Sequence, residues 1–322
     1  MRILFVMDPI RKLYKTWDSS LALLQEMAAR GHENWTADIP DIWAESRNVF
    51  AHATRLEVHP SRSKRPARLI ESGSVARPLT QFDLLLIRKN PPFDESYLGL
   101  TYLLERVADK VPMVNHPRGI RNTSEKVGTL LFPKWIPETI VTSSPEKILA
   151  FQHRINKDLV IKPIGQKGGH GVFLLKRSDR NRKGRMEKAT QQGKKIVLAQ
   201  RSLLQKSGRR REKRILILDG KILAAYEKRP REREFRANLG LGGTFHTTQV
   251  SPAERKLVKA MAPYLLKEGL RFVGIDTLED KLIDFNVTSP AGIVESKILY
   301  PSLEPAKAWA DSLEILGLGP RI

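Results

Sequence analysis

Short apolar runs bounded by charge, glycine or proline alternate along this chain with longer segments whose apolar positions recur every three or four residues. Residues 2 to 8, RILFVMD, predict a short buried strand. Ser19 to Arg30 follows with helical periodicity, a capping residue at Asp18 and a stop at Gly31. The apolar run Phe82 to Arg88 predicts a second strand, Ser96 to Lys110 a helix, and Pro112 to Asn115 a third strand. Strands and helices in that alternation predict a parallel α/β unit closing near residue 120. Residues 45 to 80 are polar with weak periodicity and read as short edge strands and loops.

Beyond a turn-rich stretch at 117 to 123 the pattern changes. A helix-like segment from Ser124 to Phe132 precedes a strand at Pro137 to Thr142 and a helix at Pro145 to Arg154. Strands at Asp158 to Pro163 and Val172 to Lys176 flank a glycine-rich loop, Gly165 to Gly171. Another strand ends at Gln200, and Arg201 to Leu204 reads as a connector. Asp219-Gly220 marks a hairpin between Arg214 to Leu218 and Lys221 to Tyr226. A charged and then glycine-rich stretch, Arg229 to Thr244, has the composition of a mobile lid. Helices at Ser251 to Glu268 and, on the surface, Glu304 to Leu316 with a stop at Gly317, bracket a second hairpin from Phe272 to Pro290. The divisions expected are 1–120, 121–203 and 204–322.

That last hairpin carries the first candidate chemistry. Asp284 and Asn286 are two apart on one strand and share a face, and a paired strand would bring Asp276 beside them. Carboxylates among apolar neighbours need a partner. Two carboxylates and an amide are a donor set that Mg²⁺ accepts when phosphate oxygens complete its octahedron; a hairpin with solvated acids fits the residues equally well. Asp8, Arg88 and Lys89 end strands at the edge where open α/β sheets place ligands, and the cationic pair suits an anionic substrate. For Asp8 a turn cap is the competing role. The glycine loop offers backbone N–H groups to phosphates, although a plain flexible turn has the same composition. It lacks the Lys-Ser/Thr ending and following helix of a Walker loop.

Composition narrows the picture. The 322 residues suffice for two or three domains, and the absence of cysteine removes disulfides, thiolate metal sites and cysteine nucleophiles. The N-terminal apolar run is too short for a signal peptide and no later run is long enough to span a bilayer, so a cytoplasmic protein without a membrane partner is expected. The formal net charge of +21 attracts polyanions. Its basic runs, at 61 to 68, 176 to 185, 206 to 214 and 227 to 236, fall in expected loops almost without aromatic residues, which argues against a dedicated nucleic-acid site.

Taken in order, FVMDPI, WDSSLALL, RKNPPFD, NTSEK, VIKP, EKRILILDGK, FRANLGLGG and GLRFVGIDTLEDKLIDFNVTSP resemble the bacterial glutathione synthetases of the ATP-grasp ligase superfamily, from residue 3 to about residue 296. The resemblance implies an ATP-grasp fold preceded by an N-terminal parallel α/β domain. It implies ATP as co-substrate and Mg²⁺ (or Mn²⁺) held by Asp276, Asp284 and Asn286. Lys126 and Lys162 would meet the ATP phosphates under a flap formed by Gly165, Gln166, Lys167, Gly168 and Gly169. Gln200, Arg201, Ser202 and Leu203 would bracket the adenine, with Glu212 near the nucleotide. Arg214 and Arg236 would stabilise transferring charge, and Lys228, Asn238, Gly240, Gly242 and Gly243 would belong to the closing lid. Substrate contacts would fall at Asp8, Asp18, Ser19, Arg88, Lys89 and Ser289. The implied reaction joins γ-glutamylcysteine and glycine through an acyl phosphate, in a homotetramer; a paralogue with another acid and amine, or a nonenzymatic basic binding protein, are the alternatives. Departures from the family pattern are Asp284 for glutamate, Asn90 for aspartate and Lys228 for arginine. Ile164 to Lys167 lacks the usual flap acid, and Gly292 to Glu295 stands for the usual Cys-Ile-Arg-Glu.

Overall fold

The computed structural model describes residues 1–13, 18–59, 68–166, 168–204, 211–232 and 234–319. In β1 (Arg2–Val6) every residue after Arg2 is buried, because the strand lies inside a sheet covered on both faces. The Asp18 carboxylate accepts the Ser20 and Leu21 N–H groups at 2.8 and 3.2 Å and so starts α1 (Ser19–Ala29). Leu23, Leu24 and Met27 bury its inner face, and Gly31 leaves the helix at a φ of +79°. β2 (Glu33–Ala37) pairs in parallel with β1. β3 (Ile42–Glu45), β4 (Asn48–His59) and β5 (Arg68–Pro78) continue the sheet as an antiparallel extension.

The expected short edge strands of this region are instead strands of 12 and 11 residues. β4 does alternate, burying Val49, Ala51 and Ala53, but alanines carry so little apolar weight that the period is faint in the sequence. β6 (Leu84–Ile87), α2 (Glu95–Glu105), β7 (Met113–Val114) and α3 (Pro117–Asn122) complete the unit. The seven strands run β3-β4-β2-β1-β6-β7, with β5 on β4.

From Ser124 to Phe132 the expected helix is replaced by 3₁₀ turns at Val127–Leu131 and Pro133–Trp135. A second sheet then forms from β8 (Thr139–Thr142), β9 (Leu159–Pro163), β10 (Phe173–Leu175) and β11 (Val197–Arg201), antiparallel in the order β10-β9-β11-β8. α4 (Pro145–Ile155) and α5 (Arg182–Ala189) cover one face. α5 occupies part of a basic run expected to be loop; Met186 is its buried anchor, and one apolar residue among charges leaves almost no periodic signal. Leu159, Ile161 and Ala199 point to these helices and share a core with Ile148, Phe151 and Met186. Strand alternation sends Lys162 and Gln200 to the opposite face.

The third sheet comprises β12 (Glu212–Leu218), β13 (Lys221–Arg229), β14 (Thr244–Thr247), β15 (Phe272–Leu278) and β16 (Lys281–Asn286), in the order β14-β13-β12-β15-β16. The basic run 227 to 236 begins inside β13, where Glu227 and Lys228 are buried rather than in a loop. α6 (Pro252–Lys267) opens with a capping box between Ser251 and Glu254. α7 (Ile293–Leu299), unread in the sequence, follows the last strand. α8 (Pro305–Leu318) passes through Gly317 and is no mere surface helix, since Trp309 stacks on Phe272 with ring centroids 3.9 Å apart.

Two apolar clusters run continuously from the N-terminal sheet into the third: Leu4, Leu85, Ile215 and Ile275 share one, and Phe5, Leu86, Phe272 and Trp309 the other. Asn115 ties the same halves together. Its amide donates to the carbonyls of Phe272 and Val287 at 2.7 and 2.8 Å, and its oxygen accepts the Phe272 N–H at 2.9 Å. Among the described residues no helix is long and apolar enough to cross a membrane.

Candidate functional site

The β15–β16 hairpin pairs Asp276 directly with Asp284, and Asn286 with Gly274. Asp276 is 4 % exposed and held from two sides. Arg214, its register partner on β12, grips both carboxylate oxygens at 2.7 and 2.9 Å, and Lys228 approaches one of them at 3.0 Å. Burial alone would raise the Asp276 carboxyl, but Arg214 and Lys228 outweigh it and hold the group well below the usual carboxylate range. Arg214 is raised in return, its desolvation offset first by Asp276. Lys228 also meets Glu212 at 2.5 Å, so β12, β13 and β15 share one buried row of alternating charge.

Asp284 accepts both oxygens' bonds from Lys126 Nζ, at 2.7 and 2.6 Å. Lys126 is buried, and Asp284 overcomes the desolvation that would otherwise lower its pKa, leaving it raised. Lys162 projects from the open face of the second sheet to the Ile283 carbonyl at 2.5 Å and to Gln200 Oε1 at 3.3 Å. Lysines from two different units thus converge on β16.

Asn286 spends its amide nitrogen on the Gly274 carbonyl at 3.1 Å, which leaves its oxygen as the donor atom towards the two aspartates' side of the strand. Among the described residues no three His, Cys, Asp or Glu side chains group into an all-protein metal cage. Two carboxylates and an amide are donor types that Mg²⁺ or Mn²⁺ accepts when substrate oxygens supply the rest; here both carboxylates are engaged by cationic side chains, Asp276 by Arg214 and Lys228 and Asp284 by Lys126.

Above this pair the flap and the loop after β13 touch. Arg236 donates to the Gly169 carbonyl at 2.9 Å and is pinned by Glu234 at 2.8 Å, which carries the Glu234 carboxyl down to about 2. Gly169 stands at a φ of +75°, and a Cβ there would lie 2.7 Å from the Asn238 side chain, so only glycine permits this approach. Gly165 and Gly168 also have positive φ, Gly242 lies beside Arg231, and Gly243 is crowded by the Ala237 carbonyl. A methyl at Gly240 would meet open space. Gln166 lies at the turn of the flap; Lys167, the cation named beside it, lies outside the described residues.

At the other end of the hairpin, Leu203 packs with Leu278 and Ile283 into a small apolar cluster. Gln200 donates to Thr139 Oγ1 at 3.0 Å, Arg201 pairs with Glu138 at 2.6 Å, and the Ser202 N–H reaches the Asp158 carbonyl at 2.8 Å. These bonds fix the connector's backbone beside that apolar cluster.

The residues named at the N-terminal sheet separate into two groups. Lys89 bridges Asp8 at 2.7 Å and Asp38 at 2.5 Å, and Asn90 donates to Asp8 at 2.9 Å. Against the opposing effect of burial, these bonds lower Asp8 and raise Lys89. Arg88 is 4 % exposed and turns inward, donating to Ser20 Oγ at 3.0 Å and the Pro290 carbonyl at 2.9 Å, below Trp309 and Phe272. Burial brings its pKa down to about 10. Asp18 is occupied as the α1 cap, and Ser19 Oγ accepts the Gly292 and Ile293 N–H groups that open α7. Ser289 is half-buried between Thr288 and Pro290.

Sequence reasoning missed Glu125, Asp38 and Thr288. Glu125 Oε1 accepts from Thr288 Oγ1 at 2.7 Å and from the Val287 and Thr288 N–H groups at 3.2 and 3.3 Å. Its position beside Lys126 was the only available signal.

Comparison with known proteins matches both parts of the chain. Residues 1–121 match the family model described as "Prokaryotic glutathione synthetase, N-terminal domain", and residues 125–300 that of the "Prokaryotic glutathione synthetase, ATP-grasp domain". A glutathione synthetase of Gloeobacter violaceus is 37 % identical over 305 residues, covering 93 % of this chain and 92 % of the relative. That of Brucella melitensis is 35 % identical over 299 residues, covering 92 % and 93 %. Among solved structures, D-cycloserine synthetase DcsG superposes with a TM-score of 0.64 at 15 % identity, covering 97 % of this chain and 99 % of that one. The ATP-grasp ligase PsnB, complexed with a minimal precursor variant, Mg and ADP, gives 0.62 at 17 %, covering 98 % of each.

Proposed function

Because the chain belongs to the prokaryotic glutathione synthetase family, with an N-terminal α/β domain and an ATP-grasp domain, we propose that this ATP-dependent carboxylate–amine ligase joins γ-glutamylcysteine to glycine. The observation that carries the reading is the convergence of Lys126, Lys162, Arg214 and Lys228 on Asp276, Asp284 and the neighbouring Ile283 carbonyl, with the flap and the loop after β13 in contact.

The acid's carboxylate oxygen attacks the γ-phosphorus of ATP, the bond to the β-phosphate oxygen breaks, and ADP leaves an acyl phosphate. The amine nitrogen then attacks the acyl carbon and inorganic phosphate departs. Mg²⁺ or Mn²⁺ held by Asp276, Asp284 and Asn286 would neutralise phosphate charge. Lys126 turns from Asp284 to a phosphate oxygen when nucleotide arrives, which frees the carboxylate. Lys162 holds a second phosphate, while Arg214 and Lys228 keep Asp276 ionised and aimed. Gly165 to Gly169 and the Arg236–Asn238 segment close over the site and keep water from the acyl phosphate. The adenine would lie along the connector, against the apolar cluster of Leu203, Leu278 and Ile283. Lys89, bridging Asp8 and Asp38 at the mouth of the parallel sheet, receives the acid's anionic end.

Within this reading residues 1–120 bind the acid, 121–203 form the flap-bearing lobe and 204–322 carry the lid and metal ligands. A cytoplasmic homotetramer accords with the resemblance, and the exposed Ile315 and Leu318 of α8 are candidates for subunit contact. Asn90, Val294 and the inward-turned Arg88 favour one second reading, a ligase of the same class with a different acid and amine. Phosphate release from Mg-ATP across a panel of acid and amine pairs separates the two. Release with γ-glutamylcysteine plus glycine supports the first; silence with that pair alongside turnover with another overturns it.

A further inference from the structure

A cavity of about 80 Å³, open to solvent, lies between the turn after β6, the end of α3 and the flap, and it is lined by Phe93, Arg121, Ser124, Glu125, Gln166 and Thr288 among others. Glu125 is the one carboxylate in this lining. Its anchoring is unusual in being three-fold on a single oxygen, from Thr288 Oγ1 and the N–H groups of Val287 and Thr288. Its backbone carbonyl also accepts the Phe285 N–H at 3.1 Å, one residue beyond Asp284. Lys126, the next residue, grips Asp284 itself. Glu125 is therefore fixed at both ends against the strand that carries a metal ligand, and no hydrogen bond to its Oε2 is found among the described residues.

We propose that this cavity is the amine subsite and that Glu125 is a catalytic residue which receives a small primary amine as its ammonium ion and takes the first of its protons. The proposal rests on the ligase reading above and adds to it the place and handling of the nucleophile. An ammonium has no lone pair and cannot attack. Lys126, Lys162, Arg214 and Lys228 suit phosphate, and Arg121, the one cation in the cavity lining, is paired with Glu105, so Glu125 is the group of this lining that attracts a cation. It stands between the cavity and Lys126. One proton passes from the ammonium to Glu125, and the freed nitrogen forms the C–N bond at the acyl carbon. The C–O bond to phosphate breaks, and the departing phosphate takes the second proton from nitrogen. The sum is one amide, one hydrogen phosphate and one proton returned to solvent from Glu125. Thr288 acts as a positioning residue, because its hydroxyl and N–H fix which way the carboxylate faces.

Glu125→Gln preserves the oxygen that the three donors hold and removes only the charge and the proton acceptor. Hydroxylamine, neutral at pH 7 and supplied in excess, traps the acyl phosphate as a hydroxamate without needing a base. With γ-glutamylcysteine and Mg-ATP, the variant should make hydroxamate within about two-fold of the parent rate. Amide formation with glycine should fall about 100-fold or more, the scale of lost general-base catalysis, and Glu125→Asp should recover part of it. Equal loss of both products, with thermal melting unchanged, overturns the assignment of Glu125 alone. Amide formation at the parent rate in Glu125→Gln also overturns it. A parent protein that forms no hydroxamate with any acid tested sinks the ligase reading, and this proposal with it.

Discussion

Asp276 and Asp284 face each other across one strand pair, yet their substitution should have different consequences. Asp276 is enclosed by Arg214 and Lys228. Removing its charge leaves two buried cations with one fewer partner, a loss of about 3–5 kcal/mol for a broken buried pair. Asp276→Asn is expected to lower the chemical-denaturation midpoint sharply as well as abolish ATP turnover. Asp284 is more open, but the lysine it holds, Lys126, is buried; Asp284→Asn should lose turnover and cost about 1–3 kcal/mol, less than Asp276→Asn, because one buried cation rather than two loses a carboxylate. Denaturant titration beside a phosphate-release assay checks both.

The acid response follows from the same geometry. The folded Asp276 carboxyl lies below its ordinary value of 3.8. Its contribution is complete above about pH 4 and is lost as pH falls through the lower folded value. The parent should therefore lose stability on acidification below about pH 4 more steeply than Asp276→Asn, and equal slopes in an acid titration of the denaturation midpoint would count against the pairing. Asp284 and Asn286 were readable as one face from strand alternation, and Asp276 from the pairing of the hairpin's two strands. Glu125 was not, because its partners lie about 160 residues further on, a separation that no local pattern encodes.

Among the elements, α8 shows how far periodicity reaches. Its apolar positions, Trp309, Ala310 and Leu313, repeat as one buried helical face, so its existence was legible. Its importance was not, because that depends on Phe272 and Arg88, brought beneath Trp309 by the fold. Trp309→Ala is expected to cost about 3–5 kcal/mol, and it removes the ring over a buried guanidinium that also ties Pro290 to α1 through Ser20. The measurable result is a lower melting temperature. The opposite failure occurred at α5, where the charged sequence read as loop. Helix formation there depends on Met186 reaching the core of Ile148, Phe151 and Leu159, which is tertiary packing overriding local composition. The β4–β5 pair was underread for a related reason, half of β4's buried positions being alanine and β5 burying no residue fully.

For the whole molecule, the charge is unevenly placed. Residues 139–201 contain 15 Lys and Arg against 4 Asp and Glu, so +11 of the chain's +21 falls there. Little of it serves the nucleotide. Lys162 and Gln200 take the site-facing side of the second sheet, whereas α4 and α5 cover the other side and carry exposed Lys147, Arg154, Lys183 and Lys188. α5 also begins without a side-chain cap or an acid in its first turn, where the helix dipole disfavours cations. The lobe has its own core, apart from the two that join the outer sheets, so repulsion among these cations is expected to loosen it more than the rest of the fold. Screening should relieve the strain, since the Debye length shrinks from about 30 Å at 0.01 M salt to about 8 Å at 0.15 M. Amide hydrogen exchange in α4 and α5 is therefore expected to slow as salt rises through that range, while exchange in β1 and β15 stays constant. Lys183→Gln removes a cation from the first turn of α5 and gives up only a 3.9 Å exposed contact with Glu187. It should slow exchange at low salt and flatten the salt dependence; faster exchange with added salt would mean that these charges are held in stabilising pairs instead.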